Sequence, residues 1–232
     1  AMEAPDKETV PFKDVLTIDG QVEDWLNKVE KGMLATIHSV LLQTFLALRQ
    51  KGTKKDKWVK AWPGGLLITS NQMGWTADVE KALADMEAGN KSAMRHCRKS
   101  QGRALIKFAD MLKTGLDKIN RNKVMGILII EVHSRDTIDV LMKAGTASAN
   151  DFQWLQQLRC YWDKELDACL FRITNTFTPY GHEYQGNNGR LVVTPLTDRA
   201  YMTLTTALNL RRGGLPQGPA GTGKTETVKD LS

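Results

Sequence analysis

The residues with the clearest chemical potential lie in the run Gly218-Pro-Ala-Gly-Thr-Gly-Lys-Thr225. This run satisfies the pattern G-x-x-x-x-G-K-[ST] in full. Its glycines allow consecutive backbone N–H groups to turn inward around a phosphate, and a helix opening near Lys224 would add its N-terminal dipole. The Lys224 ammonium could then reach the β- and γ-phosphates, while the Thr225 hydroxyl is placed to bind Mg²⁺. The sequence therefore predicts a nucleotide phosphate loop, with a glycine-rich surface loop as the alternative.

The candidate phosphate-binding set comprises nine consecutive residues, of which Thr225 is also the candidate Mg²⁺ ligand: Gly218, Pro219, Ala220, Gly221, Thr222, Gly223, Lys224, Thr225 and Glu226. The residues from Glu226 to Leu231 are compatible with a helix. One feature is irregular, because a hydrophobic strand ordinarily precedes such a loop. Here the strand could be only very short, because the preceding run is Arg211-Arg-Gly-Gly-Leu-Pro-Gln217.

Helices form most of the remaining chain, because apolar residues recur at three- and four-residue steps. The clearest pattern predicts a helix from Gln21 to Arg49. Four further helical patterns follow, over residues 66–86, from Leu105 to Ile119, over 123–143 and from Phe152 to Trp162. The lysine-rich residues 51–57 indicate a solvated turn, and the basic stretch 91–103 is either a helix end or a connection.

After Cys169 the pattern changes to alternation with a period of two, which predicts a strand from Phe171 to Phe177. Short strand candidates follow at His182–Tyr184 and Leu191–Thr194, and Asp198 is predicted to start a helix that reaches Leu210. The predicted fold class is therefore mainly α: a helical bundle, a small β-rich junction near residues 170–190, and the truncated beginning of an α/β phosphate-loop module.

The composition excludes several classes of protein. With 232 residues, 41% of them hydrophobic, the chain can build a core, which argues against disorder throughout. A net charge of +6, mixed in sign along the chain, does not indicate nucleic-acid binding. The longest uncharged apolar run, 125–130, is far short of the roughly 20 residues that span a bilayer, and residues 1–14 lack a signal-peptide core. Three cysteines without metal-ligand spacing favour reduced, intracellular thiols.

Segments from most of the chain together resemble the dynein heavy chain family. The C-terminal segments are similar to the opening of the first AAA+ module: LVVTPLTDR at 191–199, YMTLT at 201–205 and GPAGTGKTETVKD at 218–230. Upstream segments resemble the C-terminal half of the dynein linker: VEDWL at 22–26, QMGW at 72–75, HSRD at 133–136, FQWL at 152–155 and YGHEY at 180–184. The resemblance covers residues 10–232, and ETVKD at 226–230 is closer to axonemal than to cytoplasmic dyneins.

This resemblance implies a motor in which a ring of six AAA+ modules hydrolyses ATP and a helical linker swings across the ring to produce force. It implies an N-terminal extended segment at 1–20, a helical linker region at 21–180 and the start of the first AAA+ module at 181–232. ATP or ADP with Mg²⁺ would be the cofactors. The residues that would pack on the adenine are Leu191, Val192, Val193, Pro195 and Leu196.

The resemblance also implies partners and a location. The expected partners are the remaining AAA+ ring of the same heavy chain, dynein intermediate and light chains, and microtubules, with neither nucleic acid nor membrane among them. The expected location is the cytoskeleton, in the axoneme of a cilium or flagellum on the cytoplasmic side, and secretion is not expected.

Two functions remain open at this point. In the first, the chain transmits the nucleotide state of the first AAA+ module to the force-producing linker; in the second, it is a passive structural or docking segment of an axonemal complex. ATP hydrolysis also needs a carboxylate for Mg²⁺, a residue that polarises water and an arginine. Only seven residues follow Thr225. We therefore expect these groups in later sequence, and we expect the 232-residue chain alone to be inactive as an ATPase and to bind nucleotide weakly or not at all.

Two histidines could also do chemistry. His133 with Glu131 and Asp136 could act in acid–base catalysis, although residues three apart on a helix simply share a side, which favours a local structural role. His96 and Cys97 are adjacent and therefore point to different helix faces, which argues against a shared metal ion.

Overall fold

The computed structural model describes residues 1–231, and 57% of the chain is helical. The helices are α1 (Val22–Arg49), α2 (Lys55–Ala61), α3 (Gly64–Glu87), α4 (Ala93–Leu112), α5 (Lys118–Lys143), α6 (Phe152–Leu155), α7 (Pro195–Asn209) and α8 (Lys224–Leu231). The strands are β1 (Met2–Glu3), β2 (Thr9–Val10), β3 (Arg159–Asp163), β4 (Ala168–Ile173) and β5 (Thr176–Pro179). The mainly α prediction is thus confirmed, with small antiparallel sheets added to it.

The long helices agree closely with their sequence patterns. The predictions from Gln21 to Arg49 and over 66–86 are confirmed by α1 and α3. The prediction over 123–143 is confirmed by α5, which begins five residues earlier, at Lys118. These helices are long enough for several turns of apolar periodicity to stand out from local composition.

Shorter elements differ from their predictions. The lysine-rich turn expected over 51–57 is wrong in part, because α2 occupies Lys55–Ala61. Packing holds this helix in place: Trp58 is 2% exposed, and its indole N–H donates to the Thr44 carbonyl over 3.0 Å. Helix α4 begins inside the basic stretch and ends at Leu112, so the predicted continuation to Ile119 is also wrong.

The helix predicted from Phe152 to Trp162 is wrong beyond its first turn, because α6 ends at Leu155 and β3 begins at Arg159. The buried Arg159 guanidinium donates to the carbonyls of Leu155 and Thr174, over 3.3 and 3.1 Å. The hydrogen bond to Thr174 spans 15 residues, and such tertiary contacts favour a strand where the local apolar pattern fits a helix or a strand.

The predicted strand from Phe171 to Phe177 is two strands, because β4 and β5 form a hairpin whose turn contains Thr174 with φ 51°. Strands β3, β4 and β5 form one antiparallel sheet in that order, with Cys160 opposite Phe171 and Arg172 opposite Phe177. The predictions of strands at His182–Tyr184 and Leu191–Thr194 are wrong, because both runs are irregular backbone.

The chain divides into two compact units. The first unit comprises residues 1–74, 107–127 and 180–189. Its fully buried side chains include Ile37 and Leu41 of α1 and Leu67 of α3. By length and composition alone α1 could cross a membrane, and core helices of globular proteins meet the same two criteria.

The second unit comprises residues 75–106, 128–179 and 190–231. Its core joins side chains of α3, α4, α5 and α6: Trp75, Val79, Leu83, Met94, Ile138, Leu141 and Trp154. The rings of Trp75 and Trp154 lie 5.3 Å apart in a tilted arrangement. The functional division into residues 1–20, 21–180 and 181–232 stays a prediction, and its last residue lies outside the described part of the chain.

Candidate functional site

The candidate phosphate loop leads directly into α8, which begins at Lys224 as the sequence predicts. Gly221 and Gly223 have φ of 77° and 78°, a left-handed conformation that side chains with a Cβ rarely adopt. A Cβ at either position would have no neighbouring atom within 4 Å. Glycine is therefore required here for backbone conformation, and the space beside the loop is open.

The Lys224 ammonium lies on the loop itself. It donates to the carbonyls of Gly218 and Pro219, over 2.9 and 2.5 Å, and contacts the Thr222 hydroxyl at 3.3 Å. The Thr222 hydroxyl in turn donates to the Pro219 carbonyl over 2.9 Å. A positive charge thus sits at the opening of a helix, where free N–H groups also favour an anion.

The remaining members of the phosphate-binding set lie along the same loop and the first turn of α8. Ala220 and Thr225 are exposed, and exposed Glu226 forms an ion pair with Lys229 at 3.3 Å. Residues 211–217 contain no strand, and the sequence predicts at most a very short one there. All nine predicted residues are therefore contiguous and accessible to a ligand.

Helix α7 begins three residues before the predicted start at Asp198, because Thr194 caps it. The Thr194 side chain accepts from the Thr197 N–H over 3.4 Å, and the Thr197 hydroxyl accepts from the Thr194 N–H over 2.8 Å. Pro195 occupies the first turn, where its missing N–H costs nothing. This capping box fixes where the backbone from Leu191 to Thr194 enters the helix.

The five predicted adenine-side residues surround this entry into α7. Val192 and Leu196 are 67% and 74% exposed, whereas Leu191 and Val193 are partly buried and Pro195 is exposed. Large exposed apolar side chains within a few residues of each other provide a surface on which a flat aromatic ring could stack. The structure thus places all five residues along one short, accessible segment of backbone.

Sequence reasoning missed a buried carboxylate that links this segment to α8. Asp230, in the last turn of α8, accepts from the Leu191 N–H over 3.2 Å and from the Tyr201 hydroxyl over 2.5 Å. The Arg190 guanidinium lies 3.3 Å from both carboxylate oxygens. Burial, and then the hydrogen bond to Asp230, raise the pKa of Tyr201. No local pattern marks Asp230, because its partners lie 29 to 40 residues away.

His133 has a partner that the sequence did not indicate. Its Nε2 lies 3.7 Å from Oδ1 of Asp198 in α7, and 3.5 Å from the Thr137 hydroxyl. Burial lowers the pKa of His133 against the opposing effect of Asp198 and Asp136, and burial raises the pKa of Asp198. The contact joins α5 to the first turn of α7, which agrees with a structural role for His133.

We expect replacement of His133 by glutamine to weaken the acid sensitivity of folding. Because burial holds the pKa of His133 below its unfolded value of about 6.5, the unfolded chain binds this proton first. The contribution of His133 to stability is therefore fully present above pH 6.5 and is lost as the pH falls toward its folded pKa. Asp198 acts in the opposite sense, because its raised pKa favours the folded state at acid pH.

Urea denaturation at pH 7.5 and at pH 5.5 measures this effect. The free energy of unfolding should fall less between the two pH values in His133→Gln than in the unchanged chain. His96→Gln is the matched control, since His96 is exposed. Equal losses in His133→Gln and in the unchanged chain would show that His133 does not contribute to the pH dependence.

Within residues 1–231, no group of three or more His, Cys, Asp or Glu side chains could hold a metal ion. His96 Nδ1 lies 3.3 Å from the Ser92 hydroxyl, whereas Cys97 Sγ lies 3.8 Å from the Asp78 carbonyl. Burial raises the pKa of Cys97 to about 11. The two adjacent side chains thus have different surroundings.

One comparison with known proteins matches a family to the C-terminal part of the chain. Another finds relatives that are similar over nearly its whole length. Residues 180–232 match the family described as the hydrolytic ATP binding site of dynein motor region. The chain is 50% identical, over 97% of its length, to dynein axonemal heavy chain 2 of Homo sapiens. It is 48% identical, over 98% of its length, to the dynein-1-beta heavy chain of the flagellar inner arm I1 complex of Chlamydomonas reinhardtii.

A third relative, the dynein alpha chain of the flagellar outer arm of Chlamydomonas reinhardtii, is 41% identical over 97% of this chain. The chain spans about 5% of the length of each of these three relatives. The comparisons therefore support the assignment of this chain as an axonemal dynein heavy chain fragment that includes a dynein ATP-binding region at residues 180–232.

Proposed function

We propose that this chain supplies part of the ATP-binding site of an axonemal dynein motor and transmits the nucleotide state to the helical region that precedes the site. The observation that carries the proposal is the phosphate loop at 218–225, with its two left-handed glycines and a helix opening at Lys224. This loop lies inside the region that matches the dynein ATP-binding family. In this proposal the helical region acts as the force-producing linker.

The donors of the loop fit the triphosphate of a nucleotide. Open space beside Gly221 and Gly223 leaves their backbone accessible, and the first turn of α8 contributes N–H groups without helical acceptors. The Lys224 ammonium would exchange the carbonyls of Gly218 and Pro219 for phosphate oxygens. A charged acceptor would make these hydrogen bonds stronger than the present ones.

The residues present also fit Mg²⁺, although they supply few ligands. The exposed Thr225 hydroxyl, in the first turn of α8, would provide one oxygen. Mg²⁺ in nucleotide sites takes most of its other ligands from phosphates and water, so a cluster of protein carboxylates is not required to hold it. When bound, Mg²⁺ would neutralise phosphate charge, while Thr225 would fix its position relative to the loop.

On the base side, the exposed apolar segment at residues 191–196 would cover the adenine. Val192 and Leu196 would lose exposed apolar surface against the ring, which favours binding through the hydrophobic effect. Hydrolysis requires further groups, so we propose that this chain binds nucleotide as part of the larger motor and is inactive as an ATPase alone. The motor would work in the axoneme of a cilium or flagellum, on microtubules, with other dynein subunits.

Transmission has a short covalent route. Residues 180–189 pack within the first unit: the Tyr184 hydroxyl donates to the Glu8 carbonyl over 3.0 Å, and the Asn187 side chain lies against Gly64. The next residues, Arg190 and Leu191, contact Asp230 of α8. Only two exposed residues, Asn188 and Gly189, separate these two sets of contacts along the chain. A displacement of α8 would therefore act directly on the segment anchored to the helical region.

A flexible insertion between Asn188 and Gly189 of the full-length heavy chain tests this route. We expect a six-residue Gly-Ser insertion to lower the velocity of microtubule gliding several-fold while ATP turnover persists, because slack in the connection absorbs the displacement. Turnover and gliding velocity, measured on the same preparation, give the comparison.

The matched control is the same insertion after Gly115, which lies in the exposed turn between α4 and α5 with open space around it. That variant should glide at the unmodified velocity. Normal gliding of the Asn188–Gly189 variant would contradict transmission and favour a passive structural segment.

A further inference from the structure

Asp230 is a buried charged residue to which the proposed binding of phosphate and adenine assigns no role. Its side chain is 4% exposed, although no residue of α8 is buried when backbone and side chain are taken together. Both of its oxygens have donors: Oδ1 accepts from the Leu191 N–H, and Oδ2 accepts from the Tyr201 hydroxyl. A buried carboxylate is stable only when such donors compensate its lost hydration.

The donors come from different parts of the chain. Leu191 begins the adenine-side segment, and Arg190 directly precedes it. Tyr201 lies in α7, and Asp230 lies in the last turn of α8, the helix that follows the phosphate loop. Tyr201 is itself 4% exposed, so its hydroxyl is held against Asp230 by packing. Through one side chain, the segment that would meet the base is therefore tied to the helix that would meet the phosphates.

The arrangement requires a carboxylate. The Leu191 N–H, the Tyr201 hydroxyl and the Arg190 guanidinium are all donors toward Asp230. An asparagine at position 230 would present one acceptor oxygen and one NH₂ group. The NH₂ group would then face one of these donors without accepting a hydrogen bond from it. The Arg190 charge would also lose its counterion. The backbone of α7 and α8 is hydrogen-bonded within each helix, so the contacts of Asp230 act on how α8 is placed against Leu191 and Tyr201.

We propose that Asp230 is a positioning residue that holds the adenine-side segment, residues 191–196, at a fixed distance from the phosphate loop. This inference rests on the proposed function of the two segments. A nucleotide that binds both segments gains from their correct spacing, whereas a ligand that binds only the phosphate loop does not. Asp230 thus contributes to recognition of the base rather than to recognition of the phosphates.

Competition binding to the full-length heavy chain tests the inference. The probe is a fluorescent ATP analogue, displaced either by ATP or by inorganic tripolyphosphate, which has no base. In Asp230→Asn we expect ATP to bind about tenfold more weakly, because charge-assisted hydrogen bonds are lost. Tripolyphosphate affinity should stay unchanged. Tyr201→Phe removes one donor and retains the carboxylate, and it should give a smaller loss in the same direction.

Two reference variants separate the possible failures. Lys229→Gln, on the exposed side of α8, should leave both affinities unchanged. Lys224→Ala should weaken ATP and tripolyphosphate alike; if it weakened neither, the proposed function would fail. If Asp230→Asn and Tyr201→Phe weakened both ligands equally, or weakened neither, the positioning role would be overturned while the phosphate loop remained valid.

Discussion

Full-length heavy chain with Lys224 replaced by alanine is expected not to move microtubules in an ATP-driven gliding assay. The loop then keeps its glycines and helix but loses the ammonium that now bonds the carbonyls of Gly218 and Pro219. Two charge-assisted hydrogen bonds to phosphate are worth about 3 kcal/mol or more, which corresponds to at least about a hundredfold in affinity. At a fixed ATP concentration near the normal half-maximal value, this site would be almost empty.

Gliding velocity against ATP concentration is the measurement. The matched control is Lys229→Ala, which removes an equal charge from the same helix at a residue that pairs with Glu226. The control should glide normally. Unimpaired gliding of the Lys224 variant would contradict the proposed role of this loop in the motor cycle, because nucleotide at the loop would then not be needed for force.

Breaking the buried ion pair between Glu8 and Lys123 is expected to destabilise the 232-residue chain by about 3 to 5 kcal/mol. The two side chains are 5% and 8% exposed, and Lys123 Nζ lies 2.9 Å from the Glu8 carboxylate. The same carboxylate accepts from the Gly64 N–H over 2.9 Å, and Lys123 also donates to the Trp62 carbonyl over 2.8 Å. Glu8→Gln or Lys123→Met would leave one charge buried without its counterion.

Urea denaturation, followed by the fluorescence of the six tryptophans, gives the free energy of unfolding. The free energy of unfolding of the double variant, Glu8→Gln with Lys123→Met, should fall by much less than the sum of the two single-variant decreases. The reason is that the double variant buries no unpaired charge. The exposed pair of Glu3 and Lys7 is the control, since such surface pairs contribute only about 0 to 1 kcal/mol. Additive losses in the double variant would show that the two charges are not coupled.

Local and repeated signals explain what could be predicted from the sequence. Helix α1 was predictable because its 28 residues repeat the same apolar spacing over many turns. The loop at 218–225 was predictable because consecutive residues supply both its backbone conformation and its charge. The start of α7 was missed by three residues, although a threonine N-cap followed by Pro195 is a start signal that the sequence itself carries.

The remainder depends on contacts between residues far apart in sequence. Strand β3 carries aromatic residues whose spacing fits the periodicity of a helix or of a strand. A hydrogen bond from the Cys160 N–H to the Thr76 hydroxyl, 84 residues away, helps to hold it extended. Likewise, Asp230 and Tyr201 are 29 residues apart, Glu8 and Tyr184 are 176 apart, and His133 and Asp198 are 65 apart. No spacing rule within one segment could identify such pairs.

The anchoring of Tyr184 on Glu8 also has a consequence for biosynthesis. These residues are 176 positions apart, and both belong to the first unit. At translation rates of about 5 to 20 residues per second, Glu8 is made about 9 to 35 seconds before Tyr184. The first unit therefore cannot reach its final contacts while residues 75–179 are still being synthesised. Lys123 is made 115 residues after Glu8, so Glu8 first lacks Lys123 and then lacks only the Tyr184 hydroxyl. The nascent chain therefore completes this part of its fold late.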